Sequence, residues 1–194
     1  EPLIQGYASS NQINLRIDMP ELWYPMNFGE QPMYSIQIKL KNQSKLLDNI
    51  KVDFGIRDIQ IIQKDEQTGN PLFCIQVNGR KVFMNGACWA PLHGFTHVWN
   101  EERADTLLQL MKMGNMNFLR IWGEGAIPGR SVFDFCDRNG IVVMMDFMTS
   151  HPLEQPIQDE GFRDNISLEI EDVIKRYRNH PSLAFWCGGN EHYL

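Results

Sequence analysis

The sequence predicts a β-sandwich of immunoglobulin-like type over residues 1–71, followed over residues 72–194 by the amino-terminal half of a (β/α)8 barrel. Three observations carry this reading. Polar and apolar residues alternate with period two through the first third of the chain. Beyond Phe73 the apolar runs become short and continuous, and segments of helical periodicity separate them. Polar and aromatic residues then collect where those runs end, which is where barrel enzymes keep their chemistry.

The first region contains four strand-like segments: Gln12–Ile17 (QINLRI), Met33–Lys41 (MYSIQIKLK), Ile50–Ile56 (IKVDFGI) and Asp58–Ile62 (DIQII). Their alternation fits strands with one wet face. Pro20, Pro25, Gly29 and Pro32 mark turns between the first two. An immunoglobulin-like sandwich takes ~100 residues, so this one is expected to lack a strand or two at its front.

A hairpin follows in FCIQVNGRKVFMNG, where Asn78-Gly79 is the dipeptide favoured by type I′ turns. Arg103–Gly114 has apolar residues at helical spacing and stops on glycine. Asn117–Gly123 (NFLRIWG) is a short buried strand. Ser131–Gly140 is a helix stopped by glycine, and Ile141–Phe147 (IVVMMDF) is an almost wholly apolar strand. Asn165–Pro181 is an amphipathic helix closed by proline, and Ser182–Gly189 (SLAFWCGG) is the next strand. Apolar strands alternating with helices mean a parallel sheet covered by helices. An open doubly wound sheet and a (β/α)8 barrel both fit. The barrel is favoured because GEGAIPG, after the second strand, matches the dinucleotide glycine fingerprint only loosely, with Pro128 and the spacing against it.

Composition narrows the function classes. Net charge is −6 with no long basic run, which argues against nucleic acid or an anionic membrane as the main partner. No apolar stretch approaches the ~20 residues that span a bilayer. The opening EPLIQGYASS lacks the features of a signal peptide. Cys74, Cys88, Cys136 and Cys187 form no CxxC pair and read as buried free thiols, leaving the compartment open. His93, His97, His151 and His192 read as loop or surface residues whose spacing suits no metal.

The strand ends supply the candidate site. The first offers Trp89 and His93, the second Arg120, Trp122 and Glu124, the third Asp146 and His151, and the fourth Asn190, Glu191 and His192. Flat indoles stack on sugar C–H faces while amides and carboxylates hold hydroxyls, so this set suits a carbohydrate. Each residue has a plainer alternative: the tryptophans as core aromatics, Asp146 as a cap, Glu124 as a loop residue. Arg120 lies in an otherwise apolar strand and therefore requires a partner. Glu191 follows two glycines that free the chain, which presents Asn190 and Glu191 together.

On these residues the chain resembles glycoside hydrolase family 2, and most of all its β-mannosidase branch. The resemblance rests on LWYPMNFGEQPMY, VNGRKVFMNGACWAPL, MNFLRIWGEG, FDFCDRNGIVVMMDF and RNHPSLAFWCGGNE, in that order. It implies a retaining exo-glycosidase on a (β/α)8 TIM barrel, with Glu191 as general acid/base and Asn190 on the sugar 2-hydroxyl. It further implies that Arg120 organises the site, that Trp122 and Trp89 stand near the sugar, and that Asp146 and His93 join in binding substrate. The implied partner is an oligosaccharide or glycoside, with water as co-substrate and no cofactor or metal. The resemblance also implies a periplasmic, secreted or lysosomal-type compartment.

Departures from the family pattern bear on specificity. The strand-one stretch usually reads N-W-I-P-x-D, here C-W-A-P-L-H, so His93 stands where an aspartate would grip hydroxyls. At strand three W-Q-D-F becomes Met144-Met145-Asp146-Phe147, and W-G-G-G becomes W-G-E-G through Glu124. β-Glucosaminidase, β-galactosidase and β-glucuronidase activities of the same family stay open, as does a non-catalytic carbohydrate-binding relative. Retaining hydrolysis needs two carboxyl groups ~5–5.5 Å apart. In the family the nucleophile is a glutamate at the end of strand seven, so the remainder of the polypeptide is expected to complete the barrel, and residues 1–194 alone are expected to be inactive.

Overall fold

The structure is a computed structural model and describes residues 14–95, 98–150 and 158–191. The first region supplies an antiparallel ribbon of β1 (Tyr34–Asn42) and β2 (Lys45–Phe54), closed by a Gln43-Ser44 turn with Gln43 at φ 53°. The Tyr34 and Phe54 rings stack across it at 5.8 Å. Ile38, Leu40, Leu46, Leu47 and Ile50 are exposed along it. The strand expected at Gln12–Ile17 does not form over residues 14–17, the first two positions lying outside the described residues. Period-two alternation makes a strand only beside an edge that takes its backbone hydrogen bonds. Here the chain runs exposed instead, with Arg16 bonded to Asp18 at 2.8 Å.

A second sheet joins β3 (Ile59–Lys64), β4 (Pro71–Val77) and β5 (Arg80–Val82) in that order, all antiparallel. The Asn78-Gly79 turn has φ 49° and 78°, both positive as type I′ requires. Ile75, Val77 and Val82 form its small core.

The segment before β1 fastens this region to the rest. Trp23 is fully buried. Its indole Nε1 donates to the Asp137 carbonyl at 2.7 Å, and its own carbonyl accepts from Asn78 Nδ2 at 2.9 Å. Met26 N donates to the Gly140 carbonyl at 2.8 Å. Arg57 donates to the carbonyls of Pro181 and Leu183 at 3.1 and 2.8 Å.

The remaining elements are β6 (Gly86–Trp89), α1 (Glu101–Met113), β7 (Phe118–Ile121), α2 (Arg130–Asn139), β8 (Val142–Asp146), α3 (Glu160–Tyr177) and β9 (Leu183–Cys187). The four strands pair in parallel in unbroken order β6-β7-β8-β9. A doubly wound sheet reverses its strand order at a switch point; this run of neighbours has none and forms part of a TIM barrel. Local chemistry sets the helix ends. Asn100 caps α1 through Arg103 N at 2.8 Å, Asp159 caps α3 through Phe162 N at 2.7 Å, and Gly140 ends α2 in the left-handed conformation.

The core lies between this sheet and the helices. Leu119, Ile121, Val143 and Met145 meet Ala104, Leu108 and Met111 of α1, Val132, Phe133 and Cys136 of α2, and Val173 and Tyr177 of α3. Alternate strand residues point to opposite faces, so Arg120 lies on the face away from the helices. Cys88 pairs in register with Arg120 and is exposed there. Burial of all four thiols is therefore corrected: Cys136 is buried, Cys74 and Cys187 are half-buried, and all are free. Among the described residues no helix is long and apolar enough to cross a membrane.

Candidate active site

The carboxyl ends of β7, β8 and β9 meet in one polar network. Arg120 pairs in register with Met144, which puts its guanidinium on the face shared with Asp146 two residues further along β8. Arg120 Nη2 bonds Asp146 Oδ2 at 2.6 Å, and Nε lies 3.3 and 3.2 Å from Oδ1 and Oδ2. The Asp146 side chain is fully buried while that of Arg120 keeps 28% exposure, so the pair is sealed on one side and open on the other. The Asp146 carboxylate holds the guanidinium above its ordinary pKa.

Gly123 completes the cradle. Its N–H donates to Asp146 Oδ2 at 3.3 Å. A Cβ here would stand 2.7 Å from the Phe147 carbonyl and 3.1 Å from Asp146 Cβ, so the approach needs glycine.

Asn190 lies beyond β9 in an isolated parallel bridge with Ser150, its N–H donating to the Thr149 carbonyl at 2.9 Å. Thr149 Oγ1 donates to the Gly188 carbonyl at 2.5 Å, pinning the β8 exit loop to the end of β9. The Asn190 side chain is buried among polar partners. Oδ1 accepts from Arg120 Nη2 at 2.9 Å, and Nδ2 lies 3.3 Å from Ser150 Oγ and 3.4 Å from Glu124 Oε1. Ser150 Oγ donates to the same Glu124 oxygen at 2.6 Å. Glu191, the next residue, is exposed with φ 54°. A fixed amide, a half-open guanidinium and an accessible carboxyl thus stand at adjacent staves, a set able to hold a hydroxyl and exchange a proton.

Of the residues singled out from sequence, the structure brings Arg120, Asp146 and Asn190 into contact and sets Glu191 beside them. Trp122 is half-buried just past β7, with its N–H donating to the Trp89 carbonyl at 3.2 Å. Trp89 is buried in the core on the helix side. His93 is exposed; its Nδ1 accepts from the Phe95 amide at 3.0 Å and its ring stacks on Phe95 at 5.6 Å. His97, His151 and His192 lie outside the described residues. Sequence reasoning missed Thr149 and Ser150; Glu124 does lie in a loop, as read, and what went unread is its bond to Ser150. The available signal was a Thr-Ser pair directly beyond a stave that ends in aspartate.

Among the described residues one group offers metal-ligand chemistry: Asp134, Asp137 and His180, whose ligand atoms lie within 4.8 Å of one another. Its members are already engaged. Asp137 Oδ2 meets His180 Nδ1 at 2.6 Å, and Oδ1 accepts from Ser182 N and Oγ at 3.0 and 2.6 Å. This group holds the start of β9, the end remote from Asn190.

The family model for the glycosyl hydrolases family 2 TIM barrel domain matches residues 73–194, which takes in every element of this network. The chain belongs to glycosyl hydrolases family 2. A second model of that family matches residues 3–57. The family 2 relatives include β-mannosidase B of Emericella nidulans, 31% identical over 91% of this chain and 21% of that protein. β-Mannosidase B of Thermothelomyces thermophilus is likewise 31% identical, over 93% of this chain and 21% of its own length. The chain therefore spans about a fifth of the curated relatives it matches. Among solved structures, β-D-mannosidase from Dictyoglomus thermophilum superposes with a TM-score of 0.77 at 33% identity, covering 90% of this chain and 23% of that one. Exo-chitosanase CsxA of Amycolatopsis orientalis, at 23% identity and a TM-score of 0.72, shares the fold.

Proposed function

We propose that the protein containing this chain is a retaining exo-glycosidase that removes terminal β-linked sugars, β-mannosides first among them. Glu191 is its general acid/base, Asn190 meets the sugar 2-hydroxyl, Arg120 and Asp146 brace the site, and Trp122 and His93 border the sugar; Trp89, expected from sequence near the sugar, packs instead among the helix-side core residues. The observation that carries this reading is the Arg120–Asp146–Asn190 network beside Glu191. The names of similar family 2 proteins support the sugar.

Residues 1–71 are read as the end of an immunoglobulin-like sandwich and residues 72–194 as barrel strands one to four. In the reaction Glu191 protonates the leaving oxygen while a second carboxylate attacks the anomeric carbon. Glu191, now ionised, then deprotonates the water that releases the sugar. The second carboxylate is proposed on strand seven in the rest of the polypeptide, ~5–5.5 Å from the first.

The test is the purified full-length protein on 4-nitrophenyl β-mannoside, β-glucosaminide, β-galactoside and β-glucuronide. The expected result is preferred hydrolysis of the mannoside, with β-mannose as the first anomer seen by NMR. Release of the α-anomer first would overturn the mechanism, and preference for another glycoside would overturn the sugar.

A further inference from the structure

We propose that Glu124, acting through Ser150, is a positioning residue that fixes the side-chain amide of Asn190 in one orientation; its consequence for rate rests on the glycosidase reading above. The two ends of an amide differ, the oxygen accepting and the nitrogen donating. Arg120 can only donate, and it meets Oδ1 at 2.9 Å. At the opposite end the carboxylate of Glu124 can only accept, and it takes the Ser150 hydroxyl proton at 2.6 Å. The Ser150 oxygen is thereby left with its lone pairs toward Asn190 Nδ2, 3.3 Å away.

A turned amide would set its NH2 against the guanidinium and its oxygen against the carboxylate. Both ends would then clash in hydrogen-bond sense. A serine alone does not enforce this choice, because a hydroxyl donates or accepts as required. The carboxylate converts Ser150 into a committed acceptor. Glu124 is also the residue by which this chain departs from the W-G-G-G pattern, so the device is a feature of this sequence rather than of its fold.

The experiment uses the full-length protein with 4-nitrophenyl β-mannoside and the variants E124A, E124Q, N190A and E124A/N190A. E124A is expected to lower kcat/KM about 10²-fold, the scale on which a misplaced reacting or binding group acts, with an unchanged melting temperature. E124Q keeps an acceptor oxygen and is expected to restore most of that loss. Adding E124A to N190A should change kcat/KM by no more than about twofold, since both act on one contact. Full activity in E124A, or multiplying losses in the double variant, would overturn the inference. A parent protein inactive on every aryl β-glycoside would defeat the glycosidase reading instead. Crystal structures then decide the positioning claim: an Asn190 amide turned or disordered in E124A and held in E124Q supports it, and one unchanged in E124A refutes it.

Discussion

Two polar networks sit at opposite ends of β9, built from the same kinds of side chain. At its start Asp137 binds His180 and Ser182, with the Asp137 and His180 side chains only 5% and 7% exposed. Beyond its end Asn190 joins Arg120, Glu124 and Ser150, where Arg120 is 28% exposed and Glu191 stands in the open. The first network is closed: its hydrogen bonds return to the protein and set where the strand begins. The second is sealed on one side only: the Asp146 side chain is fully buried, while Arg120 keeps part of its surface exposed. Chemical type does not separate the brace from the candidate site here. Accessibility does.

The contrast is broken or sharpened by mutation of the full-length protein. The largest effect is expected at the open end: Glu191→Gln should lower kcat by about 10²–10⁴-fold without moving the melting temperature. A 2,4-dinitrophenyl leaving group, which needs little protonation, should recover the first step. Removal of the closed end reverses the pattern. Asp137→Ala strands the Ser182 amide and His180 in a buried place and should cost about 3 kcal/mol in urea unfolding, while activity per folded molecule stays at the parental level. A loss of turnover larger than the loss of folded protein would mean that the two ends are coupled.

Arg120→Lys is intermediate, because a lysine keeps the charge but loses the fork that reaches Asp146 and Asn190 together. A tenfold or greater drop in kcat/KM is expected, with roughly 1 kcal/mol of stability lost. The smallest effect concerns Cys136, which packs in the core beside Asp137. Burial, and then the neighbouring Asp137 charge, push its thiol well above the ordinary range. Its contribution to stability is complete below the unfolded thiol value of ~8.5 and is lost as pH rises from there through the folded value. Cys136→Ala should flatten this alkaline decline, read from melting temperatures between about pH 8 and 10.

Much of the barrel half could be read in advance because its strands are short, nearly continuous apolar runs set between helical segments. Ile141–Phe147 admits no other reading once helices flank it, and the Asn78-Gly79 pair announces its turn. The front of β2 could not be read, since Lys45–Asn49 lacks a clear alternation and Gln43-Ser44 carries no glycine or proline. The start of α3 at Glu160 was hidden by Gly161, which reads as a break although Asp159 caps the helix. In the candidate site, the need of Arg120 for a partner was legible because a charge in an apolar stave demands its opposite, but that Asp146 supplies it emerged only in the fold. The side taken by Trp89 depends on register: it pairs with Ile121, a helix-side residue, and a single sequence does not contain that pairing. Glu124 and Ser150 lie 26 residues apart in two exit loops, and only the folded chain makes them neighbours.

The grip of Arg57 on the carbonyls of Pro181 and Leu183 has an evolutionary corollary. Main-chain oxygens look alike whatever side chains accompany them, so the clamp measures the spacing of that connection and is blind to its spelling. Substitutions that keep its path should drift freely there, whereas inserting or deleting a single residue would shift the oxygens out of the guanidinium's reach and carry the whole fourth stave with them.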